Sequence, residues 1–198
     1  MLLKPNLLVH SDGSPVEKSS WVLRRQELAA AIISHQFGGM PPKPTNVDVI
    51  RRANNRIHDW DGAEYATYQI DIWFHDIRPI SLTISLWIPF GDGPFCTVLD
   101  IDGCWRYFND QVIHNILKRG YIAASIDRTQ VAADNKDSYR NTGLYRLFPS
   151  AKFGVCAAWA WAVHRSVDAL ITIERVNSEA IAITGHSRGG KTALLAGA

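Results

Sequence analysis

Two runs of strict alternation constrain this chain more than any other feature. In Tyr68–Phe74, Ile70, Ile72 and Phe74 share one face while Gln69 and Asp71 take the other. In Ile80–Ile88, Ile80, Leu82, Ile84, Leu86 and Ile88 alternate with Ser81, Thr83, Ser85 and Trp87. A period of two belongs to a half-buried strand, and two such runs in succession predict antiparallel strands with one wet face. A weaker strand lies upstream at about 46–57. From residue 95 the rhythm changes. FCTVLDID is a buried-type strand ending in a loop at Gly103, and FNDQVIHNILKRG is a helix stopped by Gly120. YIAASID is another strand, followed by a long polar connection over 128–150. A helix at 153–174 carries Trp159, Val163, Val167, Leu170 and Ile173 on one stripe. AIAIT is the last strand, and a helix begins at Lys191. Alternating strand and helix predicts a parallel sheet with right-handed crossovers.

The chain divides at the Pro-rich segment 41–44. Before it, residues 1–20 read as an irregular arm. Residues 21–37 read as a helix capped by Ser19 or Ser20, with Leu28 and Ile32 on one face and Gly38 as its stop. Residues 45–198 then form the body. A hydrophobic content of 46% with 20% charged residues provides for a substantial core. The net charge of +2 argues against a nucleic-acid or membrane surface. No apolar run approaches the ~18–20 residues of a membrane span, and the opening MLLKPNLLVHSDG lacks the apolar length and cleavage site of a secretory signal. Cys96, Cys104 and Cys156 have no metal or redox spacing. Cys96 and Cys156 are expected to be buried thiols, and Cys104 to lie on a loop.

The segment Gly185-His-Ser-Arg-Gly-Gly-Lys-Thr192 fits two chemistries. Gly185-x-Ser187-x-Gly189 is the pattern of a nucleophile elbow, where a serine sits on a sharp strand-to-helix turn. The glycines are needed because side chains two before and two after the serine would collide. Gly185, Gly190, Lys191 and Thr192 equally fit a P-loop, with Lys191 neutralising phosphate and Thr192 binding magnesium. Chain order favours the elbow. A P-loop opens its domain and its magnesium-binding Asp strand follows, whereas here residues 1–184 precede the motif and the strand ending at Asp100 lies upstream. Antiparallel strands, then parallel units, then an elbow is the order of an α/β-hydrolase.

WAWAVHRSVDAL followed by IAITGHSRGGKTALLAGA resembles the bacterial branch of the glucuronoyl esterase family and its acetyl-xylan-esterase-like relatives. WVLRRQEL and ILKRGYIAASID are similar to further family segments. The resemblance implies a cofactor-free serine esterase acting on a carbohydrate ester, a glucuronoyl or acetyl ester of plant polysaccharide, in an exported protein. Ser187 would be the nucleophile. Arg188 would contribute its guanidinium and N–H to the oxyanion hole, a charge-assisted donor where negative charge develops. Lys191 would bind the hydroxyls of a uronate sugar, and the loop at Gly103 and Cys104 would supply the second amide. His186 stands where fungal members carry a disulfide-forming Cys.

A serine of this kind needs a base and a group that orients it, in the order Ser, then acid, then His. Residues 188–198 contain no Asp, Glu or His. The expectation is therefore an incomplete α/β-hydrolase, the N-terminal half ending just after the elbow, inactive as it stands and with one sheet edge unpaired. The other histidines read as structural, His164 among helix-packing residues. Asp59/Asp61 and Asp100/Asp102 read as acids at strand ends and turns rather than as metal ligands. Trp159 and Trp161 read as core, leaving Trp105 for sugar stacking. The alternatives are the P-loop NTPase and a hydrolase-like module without activity.

Overall fold

The computed structural model describes residues 6–75 and 77–198. The alternating runs become strands β1 (Asn46–Ile57), β2 (Ala63–Phe74) and β3 (Ile77–Ile88), an antiparallel meander. Its register pairs Ile70 with Leu82 and Ile72 with Ile80, so the apolar sides of both strands face the same way. Ile70, Ile72, Ile84 and Leu86 are fully buried. The opposite side is polar: Gln69 donates to Asp71 at 2.7 Å and accepts from Arg52 at 3.0 and 2.8 Å. Arg52 is the extra residue of a bulge between Arg51 and Ala53.

Beyond β3 lie β4 (Phe95–Asp100), β5 (Ile122–Ile126) and β6 (Val176–Thr184). The sheet order is β1-β2-β3-β5-β4-β6, with β4 parallel to both β5 and β6. This places β6 at an edge. Helix α1 (Trp21–Phe37) precedes the sheet, α2 (Asp110–Leu117) joins β4 to β5, α4 (Val155–Leu170) leads to β6, and α5 (Arg188–Gly197) follows it. A short α3 (Leu144–Leu147) lies between β5 and α4. The main core forms where α4 meets the sheet, because Ala157, Ala158 and Ala162 let the helix lie close while Trp159 and Val163 fill the space between. A smaller cluster of Ile113 and Leu117 from α2 packs on Ala63 and Ala123 at the other face. His164 on α4 is used structurally, its Nε2 meeting the Ala196 carbonyl of α5 at 3.0 Å.

Four expectations need correction. The segment 128–150 is no plain polar connection: it folds into short 3₁₀ turns and α3, and buries Val131, Ala132, Leu144, Tyr145 and Arg128. Its apolar residues follow no period, because the segment packs as a series of short turns rather than as one helix or strand. The face of α1 that carries Leu28 and Ile32 is not sealed in the core: Ile32 is 46% exposed, Phe37 packs on the core only from the helix end, and the one buried residue of the helix is Arg24, whose Nη2 donates to the Asn6 carbonyl at 2.6 Å. The helix expected over 153–174 ends at Leu170, and the last helix begins at Arg188 rather than Lys191. Cys96 and Cys156 are half-buried rather than sealed in the core.

Candidate active site

Strand β6 ends at Thr184 and α5 begins at Arg188, leaving Gly185, His186 and Ser187 to reverse the chain. Ser187 has φ 53° and ψ −112°, a conformation that L-residues avoid. Holding a non-glycine residue there costs about 1–3 kcal/mol, which the surroundings must over-determine. They do so through close packing. A Cβ on Gly185 would lie 2.6 Å from the carbonyl carbon of Gly189, so the strand and helix touch at these two positions. A Cβ on Gly189 would collide with the carboxylate of Asp102.

Asp102 is fully buried, and its Oδ2 accepts the N–H of His186 at 2.6 Å. Its Oδ1 faces Arg128 Nε at 3.0 Å, a charge contact without the alignment of a hydrogen bond. Arg128 donates to Asp134 Oδ2 at 3.2 Å and lies 4.1 Å over the Trp159 ring. Asp134 Oδ1 in turn pairs with Arg188 Nη1. The neighbouring Asp100 accepts from the Asp102 N–H at 3.1 Å and from Ser125 Oγ at 3.0 Å, and burial pushes its carboxyl above the usual range.

Immediately after Asp102, Gly103–Trp105 makes one 3₁₀ turn. Gly103 is backed onto β5, where a Cβ would lie 2.9 Å from the Ile126 carbonyl oxygen. Cys104 sits in the same turn, its thiol pushed up to about 11 by burial. Tyr107, further along the loop, hydrogen-bonds through its hydroxyl to His186 Nδ1 at 2.8 Å. The loop carrying Gly103 and Cys104 and the turn carrying Ser187 are thus joined twice, through Asp102 and through Tyr107. The N–H of Arg188 makes no backbone hydrogen bond among the described residues and lies at the positive end of α5. Lys191 is exposed in the first turn of α5, and Trp105 is 57% exposed on the loop. Among the described residues no group of three or more His, Cys, Asp or Glu is placed to hold a metal.

The P-loop alternative built on Gly185, Lys191 and Thr192 does not survive this geometry. Thr192 is fully buried and donates its hydroxyl to the Arg188 carbonyl at 3.0 Å, one turn inside the helix, so it presents no oxygen to a magnesium ion. The reversal at residues 185–187 is a collapsed turn whose glycines press on one another, not an open cradle for phosphate.

The family description "Glucuronyl esterase, fungi" matches residues 74–198. The chain belongs to the glucuronoyl esterase family. A 4-O-methyl-glucuronoyl methylesterase 1 of Phanerochaete chrysosporium is 31% identical, over 98% of this chain and 39% of its own length. A glucuronoyl esterase of Teredinibacter turnerae has the same fold, with a TM-score of 0.82 at 23% identity, over 97% of this chain and 52% of that one. A serine-to-alanine variant of the Sporotrichum thermophile glucuronoyl esterase, in complex with methyl 4-O-methyl-β-D-glucopyranuronate, aligns with a TM-score of 0.71 at 23% identity. It covers 98% of this chain and 48% of that one. The fold of these glucuronoyl esterases is the α/β-hydrolase fold expected from the order of strands and helices. The chain spans less than half the length of the curated relatives first matched, 45% and 39%.

The elbow motif is legible in the sequence; the contacts of Asp102, Arg128 and Asp134 are not. Asp102 carries one signal, an acid inside the apolar run VLDID, which reads equally as a strand-end or turn residue. Arg128 and Asp134 lie in a segment whose composition reads as a polar connection.

Proposed function

We propose that the protein carrying this chain is a serine carboxylic ester hydrolase acting on a carbohydrate ester, the glucuronoyl ester of a plant polysaccharide. The observation that carries this reading is the backbone of Ser187, held at positive φ on a turn whose two flanking glycines cannot bear a side chain. Ser187 Oγ attacks the ester carbonyl, and the carbonyl oxygen becomes an oxyanion. The Arg188 N–H and guanidinium, with an amide from the loop at Gly103 and Cys104, stabilise that charge. The alcohol leaves with a proton, and water releases the uronic acid from the acyl-enzyme. Lys191 binds sugar hydroxyls, and exposed Trp105 offers a stacking face.

The base is not among the histidines nearest the turn. His186 is held by Tyr107, and His164 by the Ala196 carbonyl. We therefore assign the catalytic acid and His to the part of the protein for which the relatives have counterparts beyond this chain. Of the arm 1–44, the described residues dock on the body 45–198: the Phe37 carbonyl accepts from Gly154 N at 2.7 Å and the Pro42 carbonyl from Trp161 Nε1 at 2.9 Å. A polymeric substrate of this kind is met outside the cytoplasm, so we place the protein there. No helix of the described residues is long and apolar enough to cross a membrane.

The test is hydrolysis of methyl 4-O-methyl-glucuronate by the full-length protein, with acetylated xylan as the competing substrate. Loss of turnover in Ser187→Ala, a preference for the methyl ester, and labelling of Ser187 by a fluorophosphonate are expected. Folded protein that neither labels nor hydrolyses either ester would make it a hydrolase-like module without activity.

A further inference from the structure

Four side chains of alternating charge form a series of contacts that starts at Asp102, packed against the nucleophile turn, and returns to that turn at Arg188. Asp102 faces Arg128 at 3.0 Å, Arg128 donates to Asp134 at 3.2 Å, and Asp134 pairs with Arg188. Side-chain exposure rises along the series, from 0% at Asp102 through 2% and 8% to 55% at Arg188. The inner members are immobilised. Arg128 stacks on Trp159, whose Nε1 donates to the Ala132 carbonyl at 2.8 Å, two residues before Asp134. The two oxygens of Asp134 serve two different guanidinium groups, so its carboxylate cannot turn without breaking a pair. Asp134 is a fixed acceptor, while Arg188 is a long side chain reaching from the residue after Ser187.

We propose that Asp134 is a positioning residue for ester hydrolysis: it holds the Arg188 guanidinium at the Ser187 turn with its remaining N–H groups directed to the oxyanion. This rests on the esterase reading above. A guanidinium carries five N–H donors in a rigid fork. Among the described residues only Nη1 is engaged, by Asp134. A donor fixed before reaction stabilises developing charge without reorganising, whereas a free arginine spends its donors on water. The carboxylate's own charge would oppose an oxyanion, but it is shared between two arginines. The four charges sum to zero, with the guanidinium outermost.

The experiment is a double-mutant cycle in the full-length protein, with methyl 4-O-methyl-glucuronate as the probe. Arg188→Ala lowers kcat by roughly 10²–10³-fold, the loss expected for an oxyanion donor. Asp134→Asn lowers kcat on the order of tenfold with KM little changed, the signature of an interaction made in the transition state. The decisive variant is the double one. Once the guanidinium is gone Asp134 has nothing to position, so Asp134→Asn adds no further loss on Arg188→Ala. Asp134→Glu keeps the charge facing Arg128 and shifts the acceptor by one methylene; it also lowers kcat, while a role confined to stability would spare it. An equal fold-loss from Asp134→Asn in both backgrounds, or wild-type kcat in Asp134→Asn, overturns the proposal and leaves the esterase reading intact. Undiminished turnover in Ser187→Ala overturns both.

Discussion

Asp102 and His186 stand 84 positions apart in the chain, yet the carboxylate of one accepts the backbone N–H of the other at 2.6 Å. This contact ties the end of β4 to the turn after β6, and the same carboxylate occupies the space a side chain on Gly189 would need. Removing it leaves Arg128 buried with one fewer counter-charge and the His186 N–H without its acceptor. Asp102→Ala is expected to cost about 3–5 kcal/mol of folding free energy, the range for breaking a buried pair from one side. Urea denaturation of the variant measures this, and a loss below ~1 kcal/mol would show that the network does not support the turn.

The three glycines of the elbow make unequal demands. Gly189→Ala drives a methyl group into the Asp102 carboxylate, and Gly185→Ala brings one to 2.6 Å from the Gly189 carbonyl carbon. Each is expected to cost about 1–3 kcal/mol, the penalty of overpacking, and to abolish fluorophosphonate labelling of Ser187 in the full-length protein. Gly190→Ala is the control. Its Cβ meets the Gly185 carbonyl, 3.1 Å from the oxygen and 3.8 Å from the carbon, and a gain of up to ~1 kcal/mol in helix propensity offsets that approach. Its melting temperature should stay near that of the wild type.

Cys104 should be slow to alkylate. Burial pushes its thiol from 9.0 up to about 11, so the reactive thiolate is scarce at neutral pH. The folded state keeps its proton while the unfolded state loses it, so this group withdraws stability as pH rises from 9.0 toward about 11. Iodoacetamide labelling followed by mass spectrometry should show Cys104 reacting far more slowly at pH 8 in the folded chain than in urea. Equal rates would contradict its burial.

Asp100 acts at the acidic end in the same sense. Its folded carboxyl titrates above the ordinary value of 3.8, chiefly through burial. The folded state therefore binds the proton more tightly, and stability from this group declines as pH rises through that range. Asp100→Asn keeps an oxygen for the Asp102 N–H and removes the titration. The stability of the variant relative to wild type should rise between pH 4 and pH 7. A difference independent of pH would refute the shift.

On the proposed function, substitution of Lys191 should separate binding from chemistry. It is exposed and lies one turn beyond Ser187 on α5, so Lys191→Ala should leave the melting temperature unchanged. In the full-length protein it should raise KM for the uronate ester several-fold with little change in kcat, as expected for a contact equally strong in ground and transition states. A fall in kcat alone would place Lys191 in the reaction itself.

The alternation at Ile70, Ile72, Leu82 and Ile84 announced the meander because the two-residue period of a strand is a local property of its backbone. The elbow was legible for the same reason: Gly185 and Gly189 are demanded by a turn only a few residues long. The family resemblance pointed to Arg188, but not to what holds it. Asp102 looked like one more acid at a strand end, and Arg128 and Asp134 like solvated charges in a polar stretch. Their roles depend on contacts between β4, the segment after β5, α4 and the turn after β6, which no local pattern encodes. Only burial distinguishes them: a carboxylate or guanidinium removed from water must find a partner, and which partner it finds was decided when the chain closed into three dimensions.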